Sequence, residues 1–111
     1  MLPKHSRLSK QTIEKHLLRA KRARTAHFLV IFNTVPREEA GISVVASKKI
    51  TPKATLRNLL RRRVYSAVKP LFLKLKSNYA ILITHTSKED VLPKEITEEL
   101  NSLFEKERLY S

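Results

Sequence analysis

Ser47-Lys48-Lys49-Ile50-Thr51-Pro52-Lys53-Ala54-Thr55-Leu56-Arg57-Asn58-Leu59-Leu60-Arg61-Arg62-Arg63 joins two kinds of structure. Upstream, Ile42 to Ser47 has the apolar density of a strand. Thr51-Pro52 has the form of a helix start, a hydroxyl to cap free amides and a proline at the first position, where its missing N–H costs nothing. The helix is predicted over about 53–69. On a wheel at about 100° per residue, Leu56, Leu60, Val64, Ala67 and Leu71 cluster on one side, while Lys53, Arg57, Arg61, Tyr65, Asn58 and Arg62 run round the other. Arg63 falls on the apolar side and must snorkel or pair. Pro70 is expected to end or kink the helix near Lys69.

That helix face carries a chemical pattern. Arginines four residues apart place forked donors about 6 Å apart along the axis. The spacing is close to one phosphate step of a nucleic-acid backbone, so the face can hold two phosphates at once. Asn58 and Tyr65 add uncharged groups for hydrogen bonding or stacking. An ordinary solvated face would carry acids four residues from the arginines, yet from Lys48 to Lys76 there is none.

Working outward, residues 9–20 read as a first helix with Ser9 placed to cap it and Ile13, Leu17 and Ala20 on one face. Ala26 to Val35 is too densely apolar for an amphipathic helix. It reads as a strand covered on both faces, with Phe28, Val30 and Phe32 on one side, Leu29 and Ile31 on the other, and the apolar content to join more than one ladder. The polar connection Pro36 to Gly41 suits a hairpin with a longer loop leading into Ile42–Ser47. Tyr79 to Thr84 is another buried-type strand, and Pro93 to about Arg108 a closing amphipathic helix with Ile96, Leu100, Leu103 and Phe104 inward. The order α-β-β-α-β-α implies an α+β sandwich, helices packed on a mixed sheet. There is no internal repeat, low-complexity segment or domain boundary, so residues 1–111 form a single domain.

The chain has 111 residues, 23 Lys and Arg against 10 Asp and Glu, and a net charge of +13. The excess is local: residues 1–76 carry 19 Lys and Arg with three acids, a net of +16, and residues 77–111 carry four with seven acids, a net of −3. Concentrating like charge against its own repulsion points to a polyanionic partner. Lipid is disfavoured because no segment joins a basic face to exposed Trp, Phe and Leu. No run is long enough to span a bilayer, and the N-terminal residues lack the apolar stretch of a signal peptide. With 41% hydrophobic residues the chain can fill one core, which argues against disorder. The absence of cysteine excludes a disulfide scaffold, thiolate zinc sites and a thiol nucleophile, and suits a cytoplasmic protein.

Protein-borne catalysis has no candidate constellation. His5, His16, His27 and His85 lack metal-ligand spacing and read as surface or structural residues. One glycine cannot build a phosphate-cradling loop. The pairs Glu38-Glu39, Glu89-Asp90 and Glu98-Glu99 read as solvated faces, since adjacent helix residues point apart.

The ordered set of segments resembles the protein component of bacterial ribonuclease P. That family has a strand ending in S-K-K-[IV] and a helix opening A-x-x-R-N-R-x-K-R. The matches here are Ser47-Lys48-Lys49-Ile50 and Ala54 to Arg62, preceded by Gly41-Ile42-Ser43-Val44, which resembles the family's G-[LI]-S-V strand. Arg7-Leu8, Phe28-Leu29-Val30-Ile31, Tyr79 to Ile83 and Leu100 to Phe104 resemble the family's flanking segments, so the likeness spans essentially the whole chain. Departures are Leu59 as the third member of R-N-R, Tyr65 at a later arginine position, and a loop lengthened around Val45-Ala46 and Thr51-Pro52-Lys53. Aromatic residues that line a cleft in the family's first helix are matched here by Ile13 and Leu17, which lack the π-face worth roughly 1–3 kcal/mol per stacked base.

The resemblance implies a subunit of a ribonucleoprotein endonuclease that removes the 5′ leader of precursor tRNA. Its RNA would perform the magnesium-dependent hydrolysis, and the protein would bind no cofactor. It implies that Lys48, Lys49, Lys53, Arg57, Asn58, Arg61 and Arg62 contact the catalytic RNA, with some of Asn58, Arg61 and Tyr65 near the leader. Ile13, Leu17, Leu29 and Ile31 would form a leader cleft between first helix and sheet. The fold implied has a four-stranded sheet and a left-handed crossover between Ile42–Ser47 and Tyr79–Thr84, where sequence physics alone predicts a right-handed one. Its partners would be the catalytic RNA and precursor tRNA, with no membrane and no protein partner. A non-enzymatic RNA-binding module of ribosomal-protein type shares the charge and size but not the ordered motifs, and a protein-only nuclease would require a carboxylate cluster.

Overall fold

Strands with apolar residues on both faces go to the middle of a sheet, and two segments here have that composition. In the computed structural model, which describes residues 11, 13–17, 20–76, 78–87 and 91–110, Phe28–Thr34 and Tyr79–His85 pair antiparallel along their full length, from Phe28 opposite His85 to Thr34 opposite Tyr79. In chain order the strands are β1 (Lys21–Arg24), β2 (Phe28–Thr34), β3 (Gly41–Ala46) and β4 (Tyr79–His85). The helices are α1 (Ala54–Phe72) and α2 (Pro93–Lys106), with a short π-type helix at Ile13–Leu17 ahead of them. The sheet order is β1-β2-β4-β3; β1 and β2 are antiparallel, and β3 lies parallel to β4. The α+β sandwich on a mixed four-stranded sheet is as the sequence predicts, and β2 does serve two ladders.

The expected hairpin between β2 and Ile42–Ser47 does not form. β4 is inserted between them, because its apolar residues face both helix layers and repay the central position, whereas β3, with Val45 exposed, takes the edge. The fourth strand, β1, is formed by Lys-Arg-Ala-Arg, residues without the apolar alternation that would announce it. Of the first predicted helix, residues 11, 13–17 and 20 are described; His5, Arg7-Leu8, Ser9 and Glu89-Asp90 lie outside the described residues.

The main core fills the space between the sheet and the two helices. Phe28, Val30, Phe32, Ile42, Val44, Ile81 and Ile83 from the sheet meet Val64, Val68 and Leu71 of α1 and Ile96, Leu100, Leu103 and Phe104 of α2. On the opposite face a smaller cluster of Leu17, Val35 and Ala80 seats the short helix. α1 runs through Pro70 to Phe72. The proline is exposed and sits in the last turn, where its missing N–H removes one helical bond only. α2 stops at a Schellman turn: Leu109 N donates to the Phe104 carbonyl at 2.9 Å and Arg108 N to the Glu105 carbonyl at 3.1 Å, with Arg108 at φ 58°. The turn returns Leu109 to the core, fully buried.

Candidate nucleic-acid interface

α1 is buried along its second half alone. Between Ala54 and Arg63 no residue is buried, and Leu56, expected in the core, is 46% exposed. At about 100° per residue, Arg57 and Arg61 stand within about 60° of Val64, on the stripe that becomes core one turn later. The helix overhangs the sheet edge, and where the core has run out the stripe turns basic. Arg63 on this stretch is half-buried.

The connection from β3 is tightly bonded. Thr51 N donates to the Ser47 carbonyl at 2.8 Å, and Lys49 N to Ser47 Oγ at 3.2 Å, a turn that leaves Lys48 and Lys49 exposed. Thr51 is buried and does not cap the helix; the N-cap residue is Lys53, and no side chain caps the free amides. Arg57, expected on the open face, is half-buried and its Nη1 donates to the carbonyls of Thr51 (3.0 Å) and Pro52 (2.6 Å). It therefore clamps the loop that Lys53 ends. Arg61 donates to Asn58 Oδ1, which aligns the two side chains on one surface. Lys48, Lys49, Lys53, Arg61 and Arg62 are all exposed, and none is in an ion pair among the described residues, where the salt bridges are both His–Glu. With no acid in its first turn, the helix N-terminus adds its own positive potential.

Tyr65 does not belong to this surface. It is 8% exposed and its hydroxyl accepts the N–H of Val44 at 3.2 Å. On the wheel it stands about 40° from Arg61 and about 60° from Val68, and beyond Val64 the buried stripe is wide enough to include it.

The second candidate surface is the sheet face turned away from α1 and α2. Leu29 and Ile31 lie on it, half-buried, and so does Ile13. Leu17 was expected to line the same cleft, but it is 2% exposed and packs with Val35 and Ala80 as core. The short helix is tied down by Asn33 Nδ2, which donates to the His16 carbonyl at 3.0 Å, and by His16 Nε2 against Glu39 Oε2 at 3.1 Å. Sequence reasoning missed Arg22 and Arg24, which stand opposite Ile31 and Leu29 on β1. Their period-two spacing in Lys21-Arg22-Ala23-Arg24 was the available signal.

A polar knot closes the β1–β2 turn. Glu99 Oε2 accepts from Thr25 Oγ1 and from His27 N (3.1 Å), and Glu99 Oε1 is 2.7 Å from His27 Nδ1. Burial alone would raise the Glu99 pKa, but the hydrogen bonds from Thr25 and His27 outweigh it and hold the carboxyl below its ordinary range. Behind it His85 is 3% exposed, stacked edge-on to Phe28 at 5.2 Å, with its Nδ1 lacking a partner among the described residues. Burial, and secondarily His27, push its pKa down. Among the described residues, no three His, Asp or Glu side chains come together as metal donors, and no helix is long and apolar enough to cross a membrane.

A family model described as Ribonuclease P matches residues 2–108. No curated protein is significantly similar to the chain. Among solved structures, the Staphylococcus aureus RNase P protein superposes with a TM-score of 0.77 at 14% identity, covering 98% of this chain and 100% of that one. The Thermotoga maritima RNase P protein gives 0.69 at 22% identity, over 79% of this chain and 84% of that one.

Proposed function

This chain belongs to the ribonuclease P family and is an RNA-binding protein of tRNA 5′ processing, and from that premise we propose that it binds through two surfaces with separate tasks. The overhanging first turns of α1, with the turn before them, hold the catalytic RNA. Lys48, Lys49, Lys53, Arg61 and Arg62 contact its phosphates, Asn58 adds a neutral donor, and Arg57 positions the loop. The open sheet face, with Leu29, Ile31 and the half-buried Ile13, takes the leader of precursor tRNA. The observation that carries this reading is the set of exposed cations without acid partners among the described residues, on a turn and helix segment of which no helical residue is buried.

Chemistry belongs to the RNA partner in this reading. The interface offers ammonium and guanidinium groups, which do not ligate a divalent cation, and an Asn58 amide oxygen that accepts from Arg61; in this reading the magnesium that the hydrolysis uses is held by RNA. The complex is an endoribonuclease and this chain its binding subunit, acting in the cytoplasm.

The test is cleavage of precursor tRNA at low magnesium by a bacterial catalytic RNA with and without the protein, with the protein alone as a third arm. Stimulation is expected only when both are present, and Arg61→Ala with Arg62→Ala is expected to reduce it. Cleavage by the protein alone would overturn the assignment of chemistry to RNA.

A further inference from the structure

We propose that Arg22 and Arg24 of β1 form a phosphate-binding rail along the open sheet face, so that the leader is held there by its backbone rather than by its bases. The inference rests on the leader-cleft reading above and identifies what that cleft recognises.

The register fixes where the two side chains lie. In β2, Phe28, Val30 and Phe32 are buried against the helices, so Leu29 and Ile31 occupy the other face. Directly opposed residues of an antiparallel pair share a face, and Arg22 opposes Ile31 while Arg24 opposes Leu29. Ala23, the residue between them, packs against the main core, which confirms the parity. Across β2 the same rows continue to Leu82 and Thr84 on β4, both half-buried. The result is a shallow floor of aliphatic and hydroxyl groups with two arginines along one side.

Both arginines are exposed, and neither is in an ion pair among the described residues. Two positions along a strand they are about 6.6 Å apart, a span that one extended nucleotide step covers. An edge strand carries charge for a plainer reason as well, to discourage pairing with another chain. Lys21 meets that need from the other face of the same strand. The floor between β1 and β4 lacks a described aromatic ring, so the stacking that reads single-stranded bases has no platform there. Charge is what this face has to offer. Recognition by charge follows phosphate number and salt, and is indifferent to base identity.

The test uses the holoenzyme reconstituted with a bacterial catalytic RNA, comparing precursor tRNA with a leader of several nucleotides against the leaderless tRNA, for the natural protein and for Arg22→Gln with Arg24→Gln. Two phosphate contacts to a single strand change the salt slope by about 1.4, a factor of roughly seven between 50 and 200 mM salt. The expected result is that the natural holoenzyme prefers the long leader, and that the double variant loses at least about sevenfold of this preference at 50 mM. Its affinity for leaderless tRNA and its melting temperature should stay unchanged, and two leaders of unlike sequence should suffer equally. A natural holoenzyme without leader preference would overturn the cleft reading itself. Leader preference retained in full by the double variant, or lost for one leader sequence alone, would overturn the rail while leaving the cleft in place.

Discussion

Tyr65→Phe separates a structural reading of that residue from an RNA-contacting one. Among the described residues β3 is an edge strand paired with β4 alone, and Val44 N donates instead to the Tyr65 hydroxyl, 3.2 Å away on α1. The tyrosine thus satisfies an amide on the open side of the strand. The phenylalanine keeps the ring in the core and leaves that buried donor without its acceptor, which costs about 1–2 kcal/mol. For 111 residues the unfolding entropy at the midpoint is about 0.23 kcal/mol/K. The expected drop in Tm is therefore roughly 4–9 °C, read by calorimetry or circular dichroism. Affinity of the folded variant for the catalytic RNA, measured well below its Tm, should match that of the natural protein. An unchanged Tm together with weakened RNA binding would refute the reasoning and return Tyr65 to the interface.

The two aliphatic residues of the short helix should part company: Leu17→Ala is expected to cost about 2–4 kcal/mol in urea denaturation because Leu17 is core, whereas Ile13→Phe should tighten long-leader binding by roughly fivefold or more by supplying a stacking face. Acid should weaken the fold in two steps. The folded His85 pKa lies below its ordinary 6.5, so the unfolded chain takes up a proton first and stability falls as pH drops below about 6.5. His85→Phe should flatten that limb in urea midpoints taken from pH 7.5 to 5. The depressed Glu99 contributes stability that is present above its unfolded value of 4.5 and lost as pH falls through the folded one; Glu99→Gln should remove this second step and cost about 1–2 kcal/mol at neutral pH. Arg108→Gly should raise the thermal midpoint, since a non-glycine residue at φ 58° costs roughly 1 kcal/mol, and a lowered midpoint would show that the arginine side chain stabilises the turn by more.

The strands that bury both faces and the closing helix were legible, because Phe28–Phe32, Tyr79–Ile83 and the Ile96, Leu100, Phe104 spacing have no other use in a chain this charged. Pairing was less so. Proximity in sequence favoured β2 with β3, and nothing local says that a strand from residue 79 will come between them. β1 is an edge strand with one alanine facing the core, and so has almost no hydrophobic signature. A helical wheel has no record of where the underlying sheet ends, so it cannot show that the core stops at Val64 and leaves Leu56 outside, or that the basic face has turned inward by Tyr65. The lysines of the turn and Arg61 and Arg62 were readable as a cationic group; that Arg57 turns back onto the Thr51 and Pro52 carbonyls was not, since it depends on the path of the loop.

The overhang of α1 also has an evolutionary consequence. Its anchoring turns, from Val64 to Leu71, and its projecting turns, from Ala54 to Arg63, draw on different residues. Replacements in the projecting part, such as Leu59 at the third position of the R-N-R motif that this helix resembles, alter what the surface binds with little effect on folding free energy. Selection can therefore tune what this surface binds one side chain at a time while the scaffold stands still, which is how a shared architecture can persist at 14% identity.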